Sequence, residues 1–202
     1  MVYPKKVYFR DKVFVVNDHV YEPAEDTFLL AERLAVTEDD VVLDVGTGCG
    51  ILAILTAEKA KQVVAVDINP YAIECATNNA QTNGVKDRIE FRQGDLFQPI
   101  KQNEKFDLIL FNSPYLPSEP DEEKSWIGKA WAGGPDGRTV INRFLMDVPN
   151  FLADGGKIQL VQSSLSNVDK TIQMFKEMDI QAMVTAQVKF AFENIVLIEA
   201  ER

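Results

Sequence analysis

Apolar residues along the chain follow two spacings, and the two kinds of segment alternate. Short runs rich in β-branched and aromatic residues predict buried strands, whereas segments with an apolar residue every three to four positions predict helices. The predicted strands are VVLDV (41–45), VVAVD (63–67), IEFRQ (89–93), FDLILFN (106–112), KIQLVQS (157–163) and two segments near 181–190 and 194–200. The predicted helices cover 25–34, 51–60, 71–83, 140–152 and a segment through Ile172 and Phe175. Strands that alternate with helices predict right-handed crossovers and a mostly parallel sheet.

Both ends of the chain depart from this alternation. KVYF and KVFVV, on either side of Arg10-Asp11, predict a short N-terminal hairpin. Only residues 190–193 separate the last two strands, so we expect these strands to pair antiparallel. The pattern predicts an α/β fold, with a Rossmann-like, doubly wound, seven-stranded, mostly parallel sheet and an antiparallel C-terminal edge hairpin. We expect one domain over 1–202, in which 1–36 form a small hairpin-and-helix cap and 37–202 form the core.

Composition limits the classes of protein to which the chain can belong. Of its 202 residues, 46% are hydrophobic and 26% are charged, which is typical of a globular domain. The longest apolar run without a charge has 13 residues, which is too short to span a bilayer. No apolar stretch follows the N-terminal lysines, as it would in a signal peptide. We therefore expect a soluble cytoplasmic protein that has no membrane partner.

The charged and metal-binding side chains exclude further classes. The chain has 21 basic and 31 acidic residues, and its net charge of −10 argues against nucleic acid as a partner. Two cysteines, Cys49 and Cys75, and a single histidine, His19, cannot supply a four-ligand zinc site of the usual Cys/His kind. We therefore expect no metal site and two reduced cysteines.

Residues typical of a ligand site follow the predicted strands, where open α/β sheets bind their ligands. Between the first of these strands and its helix lie Asp44, Gly46, Gly48 and Gly50. The glycines would let the backbone approach a ligand closely. Gly48, Gly50 and Ala53, with Asp67 after the second strand, also fit a dinucleotide site, so a nicotinamide-dependent oxidoreductase remains an alternative. The Asp44 carboxylate favours a cationic amino acid over a diphosphate as the neighbouring group.

The spacing of these residues resembles that of class I S-adenosylmethionine-dependent methyltransferases. In that fold the glycine loop passes under the methionine part of the cofactor, and an acid after the second strand takes the ribose hydroxyls. Asp67 occupies that position here, and Ile68 beside it is a further cofactor-binding candidate. The resemblance assigns Asp95 to the adenine amine and Leu96 to the apolar residues around the ring. It therefore implies that the chain binds S-adenosylmethionine.

The fourth of these strands ends in Asn112-Ser113-Pro114-Tyr115, which resembles the (Asp/Asn)-Pro-Pro-Tyr motif of methyltransferases that act on planar amide or amine nitrogens. An amide nitrogen is a poor nucleophile, because its lone pair is delocalised into the carbonyl. The Asn112 side-chain oxygen and the Ser113 carbonyl would accept from the NH₂ group and orient it toward the methyl. The Tyr115 ring would pack against the planar group, and Asn112 is also a candidate cofactor contact. Ser113 replaces the first proline of the motif, which would reduce the rigidity of this segment.

Two further segments resemble the HemK-type glutamine N5-methyltransferases of peptide release factors, most closely the branch found in eukaryotes and archaea. They are YEPAEDTFLL (21–30) and AWAGG (130–134) with Gly137-Arg138. This resemblance implies that Thr27 contacts the cofactor and that the substrate is the glutamine of a Gly-Gly-Gln motif in a class 1 release factor. It also implies a small zinc-binding activator protein, and 37–202 would be the catalytic core of a class I domain.

Three other functions stay open at this point. One is a methyltransferase that acts on an exocyclic base amine of RNA or DNA, and another is the nicotinamide-dependent oxidoreductase. The third is a module that binds the cofactor without catalysis.

Overall fold

The computed structural model of the protein describes residues 5–202, so the first four residues of the predicted N-terminal cap lie outside the described part. The strands are β1 (Lys5–Phe9), β2 (Lys12–Val16), β3 (Val41–Val45), β4 (Gln62–Asp67), β5 (Ile89–Gln93), β6 (Phe106–Asn112), β7 (Leu152–Ser163), β8 (Gln181–Lys189) and β9 (Asn194–Glu201). The α-helices are α1 (Glu25–Ala31), α2 (Ile51–Ala57), α3 (Pro70–Thr82), α4 (Trp126–Lys129), α5 (Thr139–Asp147) and α6 (Val168–Glu177). Within the described residues, no helix has the length and apolar character needed to cross a membrane.

Seven of these strands form one sheet in the order β5-β4-β3-β6-β7-β9-β8. The strands from β5 to β7 pair in parallel, and β9 pairs antiparallel with both β7 and β8. The order reverses between β3 and β6, and open α/β sheets bind ligands at such a switch point, outside the carboxyl ends of the strands. The structure confirms the predicted fold class, including the antiparallel edge and the separate hairpin of β1 and β2.

Both faces of the sheet are buried at its central strands, which explains why these strands are almost continuously apolar. In β3, Val42 packs into the hydrophobic cluster on one face, whereas Leu43 and Val45 pack into the cluster on the other face. Asp44 of the same strand is fully buried as well. A carboxylate is thus part of the core next to the switch point.

The N-terminal hairpin is attached to the rest of the molecule through α3. Asn79 on that helix and Asn83, which caps its C-terminus one turn later, use their side-chain amides to bind the backbone of β2. Asn79 accepts from the Val15 N–H (2.8 Å) and donates to the Val15 carbonyl (3.0 Å). Asn83 does the same at Val13, at 3.3 and 2.9 Å. The helix therefore satisfies one edge of the hairpin and fixes the start of the segment that leads to α1.

In the connection between β6 and β7, the helix is shorter than the sequence predicts. The helix expected over 140–152 ends with α5 at Asp147, and Val148–Asn150 form a 3₁₀ turn. Pro149 lacks the N–H that would continue the α-helical hydrogen bonds. Leu152 instead begins β7, where it pairs with Phe106 of β6.

Candidate functional site

A cavity of about 450 Å³ opens at the carboxyl ends of the central strands, at the switch point of the sheet. This volume lies within the range of about 300–1,000 Å³ that is usual for small-molecule sites. Most predicted site residues line it, namely Thr27, Gly46, Gly48, Asp67, Ile68, Asp95, Leu96, Asn112, Ser113, Pro114 and Tyr115. Asp44 and Gly50 do not lie on its wall.

Asp44 lies behind the glycine loop. Its Oδ2 accepts hydrogen bonds from the Thr47 hydroxyl (2.7 Å) and from the Ala53 N–H (3.2 Å). Burial raises the pKa of Asp44 to about 7, because the charged form is poorly solvated there. Asp44 Oδ2 thus ties the loop to the first turn of α2. Its Oδ1 is buried and has no hydrogen-bond partner among the described residues, and the ligand contact expected of Asp44 stays a prediction.

The glycine loop adopts left-handed backbone conformations that favour glycine. Gly48 has a φ of 57°, and a Cβ at this position would meet no atom within 4 Å. Gly50 differs, since a Cβ there would lie 2.9 Å from the Cβ of Ala76 on α3. Gly48 therefore keeps one side of the cavity open, whereas Gly50 permits the close approach of α3 to the start of α2. The cofactor contact expected of Gly50 does not match its position.

Asp67 ends β4 and organises the glycine loop from the other side. Its Oδ2 accepts from the Gly48 N–H and its Oδ1 accepts from the Asn69 N–H, both at 2.9 Å. Burial raises the pKa of Asp67 from its ordinary value, against the effect of these backbone donors. Each carboxylate oxygen can accept a second hydrogen bond, so the pair of oxygens suits the hydroxyl groups of a ligand. Ile68 lies beside it and is 40% exposed.

Asp95 and Leu96 follow β5 and form one end of the cavity. Leu96 is buried and has a φ of 49°, which is uncommon for a residue other than glycine. The Asp95 carboxylate accepts a hydrogen bond from Arg143 of α5, with 2.6 Å between Nη2 and Oδ2. Arg143 lies on the cavity wall as well.

Asn112 ends β6 on another side of the cavity, and its amide has one orientation. Its Nδ2 donates to Thr27 Oγ1 (3.0 Å) and to Asp26 Oδ2 (3.2 Å). A carboxylate only accepts hydrogen bonds, so Nδ2 faces Asp26 and Oδ1 faces away from it. Among the residues that the structure describes, no donor reaches Asn112 Oδ1, although this atom is buried. A buried acceptor without a donor is costly, so Oδ1 is suited to receive an N–H from a ligand.

Ser113 is buried and bound to the neighbouring strand. Its hydroxyl donates to the Val161 carbonyl at 2.8 Å, and its N–H faces the same carbonyl at 3.4 Å. This attachment to β7 fixes the segment without the ring of a proline. The loss of rigidity expected from the sequence at Ser113 is therefore offset by a tertiary contact.

Tyr115 and Tyr21 both direct their hydroxyls to Asp26. The Tyr115 hydroxyl donates to Asp26 Oδ2 at 3.1 Å, and the Tyr21 hydroxyl donates to Oδ1 at 3.3 Å. Burial, with the negative charge of Asp26 as the next cause, raises the pKa of both tyrosines above the ordinary value. Asp26 is only 6% exposed and also accepts from the Thr27 N–H at 2.6 Å. Donors from two segments of the chain, 21–27 and 112–115, thus surround one buried carboxylate.

Tyr21, Asp26 and Arg143 line the cavity, although sequence reasoning does not single them out as site residues. Acidic residues in a first helical turn are common because they stabilise the helix N-terminus, so nothing in the sequence marks Asp26 as buried. Arg143 has the same appearance as any charged residue on the polar face of an amphipathic helix. Tyr21 and Asp26 both lie within the segment 21–30 that resembles the family, but the contact between them depends on the tertiary structure.

Three curated relatives and one family model agree on a class of protein. Residues 22–127 match the family model described as Methyltransferase small domain. A Methanocaldococcus jannaschii protein assigned as a protein N5-glutamine methyltransferase is 42% identical over 189 residues, which cover 93% of this chain and 94% of that protein. The human Methyltransferase HEMK2 is 36% identical over 173 residues and 80% of each chain. The release factor glutamine methyltransferase of Bacillus subtilis is 35% identical over 166 residues, which cover 74% of this chain and 57% of that protein.

Solved structures agree with this result. A chain of the E. cuniculi Mtq2–Trm112 complex, described as responsible for the methylation of the eRF1 translation termination factor, superposes with a TM-score of 0.72 at 26% identity. The match covers 91% of this chain and 99% of that chain. The tRNA m1G37 methyltransferase of M. jannaschii superposes with a TM-score of 0.71 over 98% of this chain and 56% of that one. Its identity is 20%, so this likeness shows the fold alone.

Proposed function

The chain belongs to the HemK-type family of protein N5-glutamine methyltransferases, and we propose that its substrate is the glutamine of the Gly-Gly-Gln motif in a class 1 release factor. In this proposal a methyl group passes from S-adenosylmethionine to the side-chain amide nitrogen of that glutamine. We also propose that 1–202 form a single class I methyltransferase domain, with 1–36 as the cap and 37–202 as the catalytic core.

The orientation of the Asn112 amide carries this proposal. Its Nδ2 is held by Asp26 and Thr27, and its buried Oδ1 has no donor within residues 5–202. Such an oxygen is a preorganised acceptor for an N–H of a substrate amide. A glutamine side chain presents an NH₂ group with two such hydrogens.

The cavity fits S-adenosylmethionine by the chemistry of its wall. The open side of the loop at Gly48 would receive the methionine part, and the Asp67 carboxylate would accept from the ribose hydroxyls. Asp95 would accept from the exocyclic amine of adenine, with Leu96 packed beside the ring. When bound, the cofactor supplies a methyl group on a sulfonium, whose positive charge makes the methyl carbon electrophilic.

Asn112 and its neighbours would position the substrate amide. Asn112 Oδ1 and the Ser113 carbonyl would accept its two N–H groups, and the Tyr115 ring would pack against its plane. These acceptors favour the positive charge that develops at the nitrogen during transfer. The proton can leave afterwards, because the nitrogen is then cationic, so no general base is required. Consistent with this, the single histidine, His19, packs against Tyr71 at 4.4 Å between ring centroids and is not on the cavity wall.

We further propose that the enzyme works in the cytoplasm with a small zinc-binding activator protein. Support comes from the family resemblance and from the Trm112 partner in the complex whose chain superposes on this one. The check is to measure solubility and methyl transfer for the isolated chain and for the chain co-expressed with a Trm112-type protein. We expect both to improve with the partner, and a stable, fully active chain without it would contradict this part of the proposal.

A methyl-transfer assay with radiolabelled donor tests the proposed substrate. The acceptors are a class 1 release factor, the same factor with its Gly-Gly-Gln glutamine changed to alanine, and an RNA pool. We expect label only in the intact release factor. Equal labelling of the glutamine-to-alanine factor would refute the glutamine assignment. Preferential labelling of RNA would favour the exocyclic-amine alternative, against which the net charge of −10 argues.

A further inference from the structure

An ion pair crosses one end of the cavity and has no part in the transfer step described above. Arg143, on α5, directs Nη2 to Oδ2 of Asp95, which follows β5, at 2.6 Å. The two residues are 48 positions apart, so the contact is tertiary. Both line the cavity.

This pair contributes little to the stability of the fold. The side chain of Arg143 is 45% exposed and that of Asp95 is 27% exposed. Ion pairs with this degree of exposure are weakened by water and salt, and holding both side chains costs conformational entropy. Stability therefore gives little reason for this pair, whereas its position on the cavity wall places it next to a bound ligand.

The geometry leaves one carboxylate oxygen available. Arg143 binds Oδ2 of Asp95, and within the described residues no hydrogen bond is made to Oδ1. A charged N–H donor holds the carboxylate oxygen that it binds more firmly than water does. A fixed carboxylate loses less conformational entropy when it binds a donor than one that must first be ordered.

We infer that Arg143 is a positioning residue, which holds Asp95 so that its free oxygen accepts from the 6-amino group of the cofactor's adenine. The inference rests on the proposed use of S-adenosylmethionine, but it does not depend on the identity of the methyl acceptor. Arg143 would thereby increase the preference of the site for a 6-aminopurine. It would do so without touching the transferred methyl group.

Titration calorimetry on the full chain tests this inference through binding alone. The two ligands are S-adenosylhomocysteine and its analogue that lacks the 6-amino group. We expect Arg143→Met to weaken the binding of S-adenosylhomocysteine about tenfold, the scale of one hydrogen bond to a charged group. The same variant should change the affinity for the deamino analogue by less than about twofold. Arg143→Lys should retain part of the difference in affinity between S-adenosylhomocysteine and the deamino analogue.

Three further variants make the test selective. Asp95→Asn should reduce the preference for S-adenosylhomocysteine over the deamino analogue by a similar factor. Adding Arg143→Met to Asp95→Asn should reduce this preference little further, because the two residues act as one unit. Arg33→Met is the matched control: the Arg33 side chain is also 45% exposed and pairs with Glu32, but Arg33 is not on the cavity wall. We expect it to leave both affinities unchanged.

Each outcome either supports or overturns the role inferred for Arg143. An equal loss for both ligands in Arg143→Met would show a merely structural role, and no loss for either would show no role; both results overturn the inference. Failure of the wild-type chain to bind S-adenosylhomocysteine would overturn it together with the cofactor assignment. Selective loss in a chain that does not methylate the release factor would uphold the inference and refute the proposed substrate.

Discussion

Two sides of the cavity are built in different ways. At Asp67, the carboxylate is organised by backbone N–H groups of Gly48 and Asn69, which lie 19 and 2 positions away in the sequence. At Asn112, the amide is oriented by the side chain of Asp26, 86 positions away. The first arrangement is a local property of a strand end and its loop, whereas the second depends on packing of α1 against β6. Cofactor binding and acceptor positioning should therefore be separable by substitution.

The largest difference between the effect on methyl transfer and the effect on cofactor binding is expected at Asn112. Asn112→Ala removes one preorganised acceptor, which typically costs about a hundred- to a thousandfold in rate. We expect this loss in methyl transfer to the release factor, with nearly unchanged affinity for S-adenosylhomocysteine by calorimetry. Asn103→Ala is the matched control, since Asn103 is exposed and remote from the cavity wall, and it should retain full activity. Equal loss of cofactor affinity in Asn112→Ala would contradict the division into two sides.

Asp67→Ala should have the opposite effect, with a larger loss in cofactor affinity than in the rate of methyl transfer. The variant loses the acceptor for the ribose hydroxyls and leaves the Gly48 N–H without its partner. We expect cofactor binding to weaken by about 1–3 kcal/mol, the usual cost of a lost hydrogen bond to a charged group. The maximal rate at saturating donor should fall much less than the affinity. An unchanged dissociation constant by calorimetry would remove Asp67 from the binding site.

Asp26→Asn should give a smaller effect on the acceptor side. The substitution keeps the shape of the side chain but allows the Asn112 amide to face either way, because an amide in place of the Asp26 carboxylate presents both a donor and an acceptor. We expect kcat to fall about tenfold, equivalent to about 1.4 kcal/mol in the barrier. The dissociation constant of S-adenosylhomocysteine should stay the same. A fall in affinity without a fall in kcat would place Asp26 on the cofactor side instead.

Ser113→Ala should have the smallest effect, and chiefly on stability. It removes the hydroxyl that donates to the Val161 carbonyl and leaves that buried acceptor with the longer N–H contact. We expect a loss of about 1 kcal/mol, or about 2–4 °C in Tm for a chain of this length. Thermal unfolding followed by circular dichroism measures it. An unchanged Tm would show that the hydroxyl is not what attaches this segment to β7.

The same contrast explains what the sequence could predict. The positions of the sheet strands along the chain follow from apolar runs, and the residues after those runs include most of the predicted site residues that line the cavity. Asp67 and Asn112 are recognisable because each closes a strand. Gly50 shares the local pattern of Gly48, and only the packing of Ala76 on α3 separates a structural glycine from one on the wall.

Residues whose roles depend on partners far away in the sequence could not be predicted. Asp26 has the usual appearance of an acid at a helix N-terminus, and its burial depends on how the N-terminal cap packs against β6. The position of Asp44 also depends on tertiary structure, because the side of the loop that its carboxylate faces is decided by α2. Pro149 is the clearest local signal that a helix ends early, although the periodic apolar residues around it favour a longer one.

Tandem mass spectrometry of the release factor after incubation with the enzyme tests the central claim most directly, since it locates the added methyl group. The wild-type chain, with S-adenosylmethionine and its partner present, should place one methyl on the side-chain nitrogen of the Gly-Gly-Gln glutamine. The Asn112→Ala chain should leave that glutamine unmodified. A methyl group on a different residue, or equal glutamine methylation by Asn112→Ala, would contradict the account.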